Sequence, residues 1–391
     1  MYRLAPGQAT HVYDYSADPR LLLGLLADPI RRLRTEGTPL VHVRRGWLHG
    51  THITVTVRPL AEVPLRLDDF AAAAGRIAAR TAAEPPSEAD YLERAAQLAR
   101  WEGVSTPLLP LRPQGFTEVG PAARPDRWSD ELLDARDQLA GRLLDPVLGS
   151  ASLPAAGLLP HAARVMALCA LAHPFGIGIG TLPLRSHVEG IWSATGGTAD
   201  LRTAFAERFE RDRAVFLAAL AGPEATAAPA YLADTANAAN AANAADAAHL
   251  ADASDAPDLA DGEAALLRSW NEALHACWGT ATALAASGGL DESRLAVAPA
   301  REAPLANGVP SPFHRAARQA GLEDRQPYWH IAHRTLLNVL YTTLSCLGIT
   351  PLQRYYLCFG LSSAADALLG EDWSQRLERI GRMQGTFAEP A

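Results

Sequence analysis

The spacing of apolar positions in the first ninety residues switches between the period of a strand and the period of a helix. Five segments follow one another in the order βαββα: 11–15, about 18–36, 41–47, 51–58 and 68 to about 83. Asp18 is a suitable N-cap for the first helix and Gly37 a suitable stop, and a tight turn at His49-Gly50 joins the second and third strands. This order predicts a ferredoxin-like layer of helices on an antiparallel sheet.

Beyond residue 90 the pattern is mostly helical. Helical periodicity runs from 91 to 220, resumes near Glu263, and ends with two strongly amphipathic helices, 329–347 and 351–369. Four features interrupt it: Pro107, Pro110, Pro113 and the glycine-rich run 176–180. The sequence therefore predicts an α+β fold class, in which a ferredoxin-like sheet unit is joined to a large helical portion.

The composition changes sharply between residues 222 and 261. Alanine and asparagine repeat there with a period of three residues from Thr235 to Asp246, and almost no large side chain is available for burial. A three-residue period drifts around a helix and builds no apolar face. We interpret this segment as a flexible or weakly helical surface insertion without a function of its own.

The chain is therefore expected to have four parts: 1–90, the α+β unit with the hairpin; 91–221, a mostly helical part; 222–261, the insertion; and 262–391, a C-terminal helical part. The parts 91–221 and 262–391 are expected to belong to one catalytic domain, whose cavity the C-terminal part completes.

Composition and charge exclude several classes of protein. With 391 residues, of which 48% are hydrophobic and 20% charged, the chain is expected to be globular. Its formal net charge of −8 argues against a sequence-independent grip on nucleic acid, which requires a basic surface. The sequence has no apolar run of about eighteen residues and no N-terminal signal, so we expect a cytoplasmic protein that does not enter the membrane. Its four cysteines are scattered and form no CxxC pair, which argues against a disulfide scaffold and a zinc site.

The sequence contains no standard catalytic motif. A Walker loop, HExxH and GxSxG are all absent, and the run 176–180 lacks the spacing of a dinucleotide-binding fingerprint. Candidate catalytic residues must therefore be inferred from polar residues at positions where packing alone would not place them.

The first group of such residues is the polar side of the hairpin with its turn: Arg45, Trp47, His49, His52 and Arg58. Two interpretations remain open for this group, a solvated sheet face and the lining of a groove that holds a peptide.

The second group of polar residues lies in the segment 184–190. If this segment is helical, Arg185 and Glu189 form an ordinary i,i+4 ion pair. If it is extended, Arg185, His187 and Glu189 share one face. The segment by itself favours a surface ion pair.

The third group is a polar stripe along the helix 329–347, which is apolar on its other side. The stripe consists of His330, Arg334, Asn338, Tyr341 and Ser345, with His333 and Trp329 at its flanks. Polar stripes commonly face solvent. This one, however, is rich in residue types that form directional hydrogen bonds and move protons. We therefore expect it to line a cavity.

Four segments resemble the elimination domain of lanthipeptide dehydratases. Residues 47–53 (Trp-Leu-His-Gly-Thr-His-Ile) resemble the WxxGPHxR-type strand of that domain, and residues 102–111 resemble the E…GP…PL segment that follows it. Residues 184–189 (Leu-Arg-Ser-His-Val-Glu) resemble its FRSHAE box, and residues 336–349 fall where that domain has LLHMHxNRL before its last helix. The four segments occur in the same order as in that domain, and together they cover nearly the whole chain apart from the insertion. The resemblance implies the α+β fold of the elimination domain.

Two departures distinguish this chain from the eliminating enzymes. Asn338 occupies the position of their histidine, with Thr342 and Thr343 in place of the NR pair, and the hairpin strand lacks their arginines. Glutamate elimination needs arginine to hold the leaving carboxylate and histidine to move a proton. A chain that keeps the motifs of the elimination domain but lacks this arginine and histidine resembles the pyridine synthases of thiopeptide biosynthesis. That resemblance implies a formal [4+2] cycloaddition between two dehydroalanines of a modified precursor peptide, followed by loss of water and of the leader peptide as an amide.

The resemblance also suggests roles for the polar groups. Tyr341, one turn after Asn338, is the first candidate for hydrogen bonding to the reacting amide. The candidates for proton transfer are His333, His187 and Glu189, with Arg185 to orient them, and Asn338 is also expected to belong to the catalytic group. The candidates for substrate binding are Trp329, which would stack on an azole, and Trp47, His52, His49, Arg58 and Ser345, with the leader peptide placed on the N-terminal hairpin. No cofactor or metal is required, and the expected partners are the precursor peptide and other enzymes of the same pathway.

Two other functions remain open. A glutamyl-eliminating lyase would make dehydroalanine or dehydrobutyrine and release glutamate from a glutamylated peptide. A non-catalytic leader-binding subunit would deliver the precursor to partner enzymes and leave the mass of the peptide unchanged.

Overall fold

The computed structural model describes residues 6–35, 40–59, 67–81, 83–102, 104–122, 130–194, 199–221, 261–290, 311–322 and 328–387. Gly37, the expected helix stop, and residues 222–260, nearly all of the Ala/Asn-rich insertion, lie outside the described residues. The chain divides into two compact units. The first contains Met1–Leu153, Gly289–Glu302 and Asn338–Ile349, and the second contains Pro154–Gly288, Ala303–Leu337 and Thr350–Ala391.

The first unit is built on a four-stranded antiparallel sheet. Its strands are β1 (Gln8–Tyr13), β2 (Leu40–Gly46), β3 (His52–Arg58) and β4 (Thr117–Pro121), in the spatial order β2-β3-β1-β4. β1 pairs with β3 and β4, and β2 pairs with β3, always antiparallel. With helices between β1 and β2 and between β3 and β4, this is the split βαβ order of a ferredoxin-like fold. The predicted α+β class is therefore confirmed.

Helices cover both sides of this sheet. They are α1 (Pro19–Thr35), α2 (Leu67–Ala78), α3 (Glu88–Glu102), α4 (Asp130–Arg142) and α5 (Leu144–Ser150). Asp18 caps α1 as predicted, because its Oδ1 accepts a hydrogen bond from the backbone N–H of Arg20 at 3.0 Å. α1 and α2 pack against the sheet and cover its apolar side, where Val12, Val55 and Val57 are 0% exposed. Burial of each such side chain contributes roughly 1.5–3 kcal/mol, which makes this layer the core of the first unit.

The second unit is helical. Its helices are α6 (Ala155–Leu171), α7 (Gly176–Gly180), α8 (Leu182–Ala194), α9 (Ala199–Ala221), α10 (Asp261–Ala286), α11 (Pro312–Gln319), the first half of α12 (Tyr328–Cys346), α13 (Pro351–Leu369) and α14 (Trp373–Phe387). α6 is the centre of the core, since α9, α10 and α13 all pack against it. α13 begins with a capping box formed by Thr350 and Gln353 and ends at Gly370, whose φ is 60°.

Among the described residues, no single helix is both long and apolar enough to cross a membrane. α6 and the segment Gly176–Trp192, which meet at a bend of 108°, reach that length and hydropathy only when taken as a pair.

Four elements differ from the sequence prediction. The run 176–180 was expected to break the helical pattern but forms the short helix α7, and β4, α11 and α14 were not expected. β4 carries one β-branched apolar residue, Val119, and lies at the edge of the sheet, so it leaves little pattern to detect. α14 does carry a signal, because Trp373, Leu377 and Ile380 follow the i, i+4, i+7 spacing of a helix face.

Candidate functional site

His52, at the start of β3, is packed into the sheet. Its ring is T-shaped to that of His11 with 5.0 Å between centroids, and it lies 4.8 Å from the ring of Tyr13. Its Nδ1 is 2.9 Å from the carbonyl oxygen of Gly50. Gly46 provides the space, since a Cβ there would come within 2.0 Å of Nε2 of His52. Burial lowers the pKa of His52 to about 4, so the ring is neutral near pH 7.

The predicted hairpin turn is present and holds its side chains at the surface. His49 has a φ of 61° and Gly50 a φ of 120°, conformations in the left-handed region that favour glycine. A side chain at Gly50 would also come within 2.0 Å of the hydroxyl of Tyr15. The carbonyl of His49 accepts a hydrogen bond from the backbone N–H of Arg112 at 2.9 Å. Trp47 and His49 are half-buried, and Nδ1 of His49 is itself buried.

Arg58, at the end of β3, is covered by α4. Its Nη1 donates to Asp134 and lies 3.3 Å from Oδ2 of Asp137. His42 of β2 faces the same carboxylate, with Nε2 at 3.3 Å from Oδ1 of Asp137. Arg45, by contrast, is exposed on the opposite side of β2. The five residues of the hairpin group therefore do not share one surface. Because α4 covers part of the polar side of the sheet, the group forms neither a solvated face nor an open groove.

Asp137 and His42 have different charge states in this contact. Burial raises the pKa of Asp137, but the proximity of His42 and Arg136 outweighs it and holds the pKa well below its usual value. Burial lowers the pKa of His42 in spite of Asp137, so a neutral imidazole lies beside an ionised carboxylate at pH 7. Nε2 of His42 lies 3.3 Å from Oδ1 of Asp137, slightly longer than a usual hydrogen bond, and Nδ1 is buried without a partner.

A small cavity of about 40 Å³ lies on this polar side of the sheet, beside α4. Basic, hydroxyl and carboxylate side chains contribute to its walls: His11, His42, Thr54, Thr56, Arg58 and Asp137. Such side chains can bind a carboxylate or the polar groups of a peptide.

Arg185 and Glu189 form an i,i+4 ion pair on α8, in the second unit. Nη2 of Arg185 is 2.7 Å from Oε1 of Glu189, and Glu189 is 3% exposed. The guanidinium lies over the rings of Trp192, at 5.2 Å, and Trp373, at 5.7 Å. The helical alternative for this segment is therefore correct, but the pair is not on the surface.

His187 does not join this ion pair. Two residues after Arg185, it lies about 200° further round the helix, so the cluster expected from an extended segment does not form. Burial, together with the positive charges of Arg354 and Arg334, lowers the pKa of His187 to about 3. His187 is therefore neutral near pH 7, with basic groups as its neighbours.

The polar stripe on α12 changes character along the helix. Three of its members are half-buried: His330, Arg334 and Ser345. Asn338 is exposed, whereas Tyr341 is only 4% exposed in the first unit. The hydroxyl of Ser345 donates to the carbonyl of Thr342 at 2.6 Å, within the helix. The stripe is therefore not a single solvent-exposed face, since Tyr341 is buried and shielded from water.

His333, the other candidate on α12, lies in a closed cluster of rings in the second unit. It is 1% exposed, and its ring is 5.0 Å from that of His173 and 5.8 Å from that of Trp278. Trp329, half-buried, packs on His173 at 5.1 Å. Nε2 of His333 is 3.3 Å from the carbonyl oxygen of Cys169, and burial lowers the pKa of His333 to about 3. His333 is therefore packed against aromatic rings and neutral near pH 7.

Ser186, between the two candidates on α8, has a partner that the sequence pattern does not reveal. Its Oγ is 3.1 Å from Nε2 of His314 in α11. Nδ1 of His314 is in turn 2.9 Å from Oγ of Ser311. The sequence Ser-Pro-Phe-His is a recognisable helix start, but it does not indicate which residue of another helix meets the histidine.

The described residues contain no group of three or more His, Cys, Asp or Glu side chains that could hold a metal ion. The four cysteines are buried and form no disulfide.

Comparisons with known proteins give a likeness in structure and none in sequence. No family model matches the chain, and no curated protein matches it. Among solved structures, the pyridine synthase TbtD from thiomuracin biosynthesis has a TM-score of 0.61 at 20% identity, over 94% of this chain and 99% of that one. TsrL has a TM-score of 0.53 at 15% identity, over 97% of this chain and 99% of its own.

A third solved structure is more distant. The tRNA-dependent lantibiotic dehydratase MibB from Microbispora sp. 107891 has a TM-score of 0.41 at 15% identity, over 92% of this chain and 28% of that one, and this likeness is too weak to support an argument. The relation that the sequence motifs predict is confirmed at the level of the fold: this chain has the fold of the pyridine synthase TbtD over nearly the whole length of both proteins.

Proposed function

We propose that this protein closes the central pyridine ring of a thiopeptide by a formal [4+2] cycloaddition between two dehydroalanines of a modified precursor peptide. Loss of water and of the leader peptide completes the ring and the macrocycle. The observation that carries the proposal is the agreement in fold with the pyridine synthase TbtD over 94% of this chain. Asn338 supports pyridine formation over glutamate elimination, because an amide cannot take up and release a proton as histidine does.

The reaction needs positioning more than it needs a strong catalyst. One dehydroalanine and its preceding amide, as the imidic tautomer, serve as the azadiene, and a distant dehydroalanine serves as the dienophile. Holding two parts of one flexible peptide face to face can supply up to about 7–11 kcal/mol of the barrier. A protein that binds the peptide and excludes water therefore provides most of what the cycloaddition requires.

Tautomerisation requires a hydrogen-bond donor at the amide oxygen. Tyr341 is the first choice, because its phenol can donate to the developing imidic oxygen and would stabilise the transition state more than the ground-state amide. Tyr341 is 4% exposed, so its hydroxyl would meet the amide in a site closed to bulk water, where a hydrogen bond is stronger. His187 is a further candidate for proton transfer, and the ion pair of Arg185 and Glu189 suits a positioning role. His333 is a weaker candidate because the rings of His173 and Trp278 pack against it.

The accessible aromatic side chains suit substrate binding. Trp47 and His49 at the hairpin turn are half-buried and could contact the leader peptide. Trp329, also half-buried, could stack on an azole. His52 and Arg58 are buried and would support the hairpin from behind rather than touch the substrate.

The proposal is tested by incubating the purified protein with a precursor that already carries azoles and dehydroalanines. Mass spectrometry should then show a macrocycle and a leader peptide that ends in an amide. Release of glutamate from a glutamylated precursor would instead identify an eliminating lyase. Binding of the precursor with no change of mass would identify a delivery subunit and contradict the proposal.

A further inference from the structure

Ser186, His314 and Ser311 form a continuous chain of hydrogen bonds in the second unit. The hydroxyl of Ser186 on α8 is 3.1 Å from Nε2 of His314, and Nδ1 of His314 is 2.9 Å from the hydroxyl of Ser311. Ser186 and His314 are half-buried, and Ser311 is 8% exposed. An imidazole therefore connects a partly accessible hydroxyl to a buried one.

Two local features fix this geometry. Ser311 is the N-cap of α11, and its hydroxyl accepts a hydrogen bond from the backbone N–H of His314 at 3.2 Å. The adjacent Phe313 packs in a buried cluster with Leu182, which lies one turn before Ser186 on α8. The cap and the apolar contact hold His314 opposite Ser186 before any substrate is bound, and a preorganised contact of this kind lowers the cost of ordering during a reaction.

The hydrogen bonds are compatible with either neutral tautomer of His314. A hydroxyl group both donates and accepts, and a neutral imidazole has one donor nitrogen and one acceptor nitrogen. If Nδ1 carries the proton, it donates to Ser311 and Nε2 accepts from Ser186. If Nε2 carries the proton, it donates to Ser186 and Nδ1 accepts from Ser311. Only the first of these tautomers leaves Nε2 free to take a proton from Ser186.

We infer that Ser186, His314 and Ser311 are a proton relay that serves the elimination steps of the proposed reaction, and the inference rests on that proposed function. In each elimination the oxygen of Ser186 takes the proton that the ring loses and passes its own proton to Nε2 of His314, while Nδ1–H of His314 donates to Ser311. The imidazolium then returns a proton from Nε2 to Ser186, and Ser186 gives its proton to the departing oxygen or nitrogen. The bond to the leaving group breaks as the ring gains a double bond, so water or the leader amide leaves neutral and the relay is restored. Ser186 is the group that meets the substrate, and His314 and Ser311 are positioning residues.

Three variants separate this role from a structural link between α8 and α11. His314→Gln keeps a side-chain amide that can hydrogen-bond to Ser186 but cannot pass a proton on, so we expect release of the leader to slow by at least about 10²-fold with an unchanged melting temperature. Ser186→Ala should slow it similarly, and Ser186→Thr, which keeps the hydroxyl, should restore most of the rate. Imidazole added to His314→Ala should restore part of the rate. A His314→Gln variant with the wild-type rate would overturn the relay.

A second measurement does not need turnover and so separates a failure of the relay from a failure of the proposed function. In protein labelled with ¹⁵N-histidine, the His314 signals are identified by their absence in His314→Gln. We expect the Nδ1 signal at the position of a protonated nitrogen and the Nε2 signal at that of an unprotonated one, because Nε2 must be free to take the proton of Ser186. An Nε2 that carries as much of the proton as Nδ1, or more, would contradict the relay. A wild-type protein that does not convert the precursor would contradict the proposed function, whichever result the nitrogen spectrum gives.

Discussion

Arg58 on β3 lies 3.3 Å from Asp137 on α4, measured from Nη1 to Oδ2, and the two side chains are 6% and 9% exposed. α4 is therefore joined to the polar side of the sheet by a buried ion pair. Once one partner of such a pair is removed, the other is left as an uncompensated buried charge, which is strongly destabilising. Arg58 consequently joins the hairpin strand to α4.

We predict that Asp137→Asn lowers the free energy of unfolding by about 2–4 kcal/mol at pH 7. The amide keeps the shape of the carboxylate but leaves Arg58 with a weaker partner, and it also removes the charge beside Arg136. Urea denaturation of the two proteins measures the difference. As a control, Glu378→Gln removes an exposed partner of Arg382 and should change stability by less than about 0.5 kcal/mol.

The same substitution has a predictable pH dependence. The pKa of Asp137 is lower in the folded protein than its ordinary value, so the ionised group stabilises the fold above about pH 4. That contribution is lost as the pH falls through the folded pKa. The difference between wild type and Asp137→Asn should therefore be full at pH 6 and should shrink steadily below pH 4. A difference that stays constant down to pH 2 would show that packing, not charge, is responsible.

His333 should make the protein sensitive to acid. Its folded pKa of about 3 lies below the value of about 6.5 in an unfolded chain, so between these values the unfolded state binds a proton that the folded state does not. The free energy of unfolding is therefore unaffected by the protonation of His333 above pH 6.5. Below that pH it falls by up to about 1.4 kcal/mol per pH unit as the unfolded state takes up the proton. His333→Phe should make this slope shallower in urea denaturation between pH 6.5 and 4.5. An unchanged slope would show that His333 is already protonated or accessible in the folded protein.

Tyr341→Phe should separate the proposed hydrogen-bond donor from a packing residue. The substitution keeps the buried ring and removes only the hydroxyl, so melting temperature and leader affinity should be nearly unchanged. Single-turnover release of the leader should slow by roughly 10²–10⁴-fold, the range for one positioned proton donor. Tyr328→Phe, at an exposed position of the same helix, is the matched control and should leave the rate unchanged. If Tyr341→Phe instead loses up to about 1 kcal/mol of stability and keeps its rate, the hydroxyl is structural.

Trp47→Ala should weaken leader binding. Trp47 is half-buried at the hairpin turn, and truncation of such an aromatic contact commonly costs more than about 1 kcal/mol of binding energy. Fluorescence anisotropy with a labelled leader should therefore show an affinity about tenfold lower, with an unchanged melting temperature. Leu25→Ala, which removes an exposed apolar side chain of α1, should have no effect. If Trp47→Ala binds normally and substitutions in the second unit abolish binding, the leader site lies elsewhere.

The sequence by itself determined those elements that carry a strong local pattern. Asp18 as a cap, the turn at His49-Gly50, three of the four strands and the amphipathic helices near 329–347 and 351–369 all follow from residue type and spacing. The motifs resembling the elimination domain led to the correct fold, because their order along the chain reflects the order of the elements that carry them. β4 is different, since an edge strand with one β-branched apolar residue is stabilised mainly by its pairing with β1.

The tertiary structure decided which polar side chains are accessible and which are enclosed. Alternation along β3 correctly grouped His52 with Arg58, but it could not show that α4 brings Asp137 over Arg58 and so takes Arg58 from the surface. The sequence places Ser186 between Arg185 and His187 on α8, but it does not show that His314 lies beside it. That contact forms in the folded protein, where Phe313 and Leu182 share a buried cluster. Local spacing fixes the direction in which a side chain points. Whether it meets water, an aromatic ring or a proton acceptor depends on residues distant in the chain, and no local pattern contains that information.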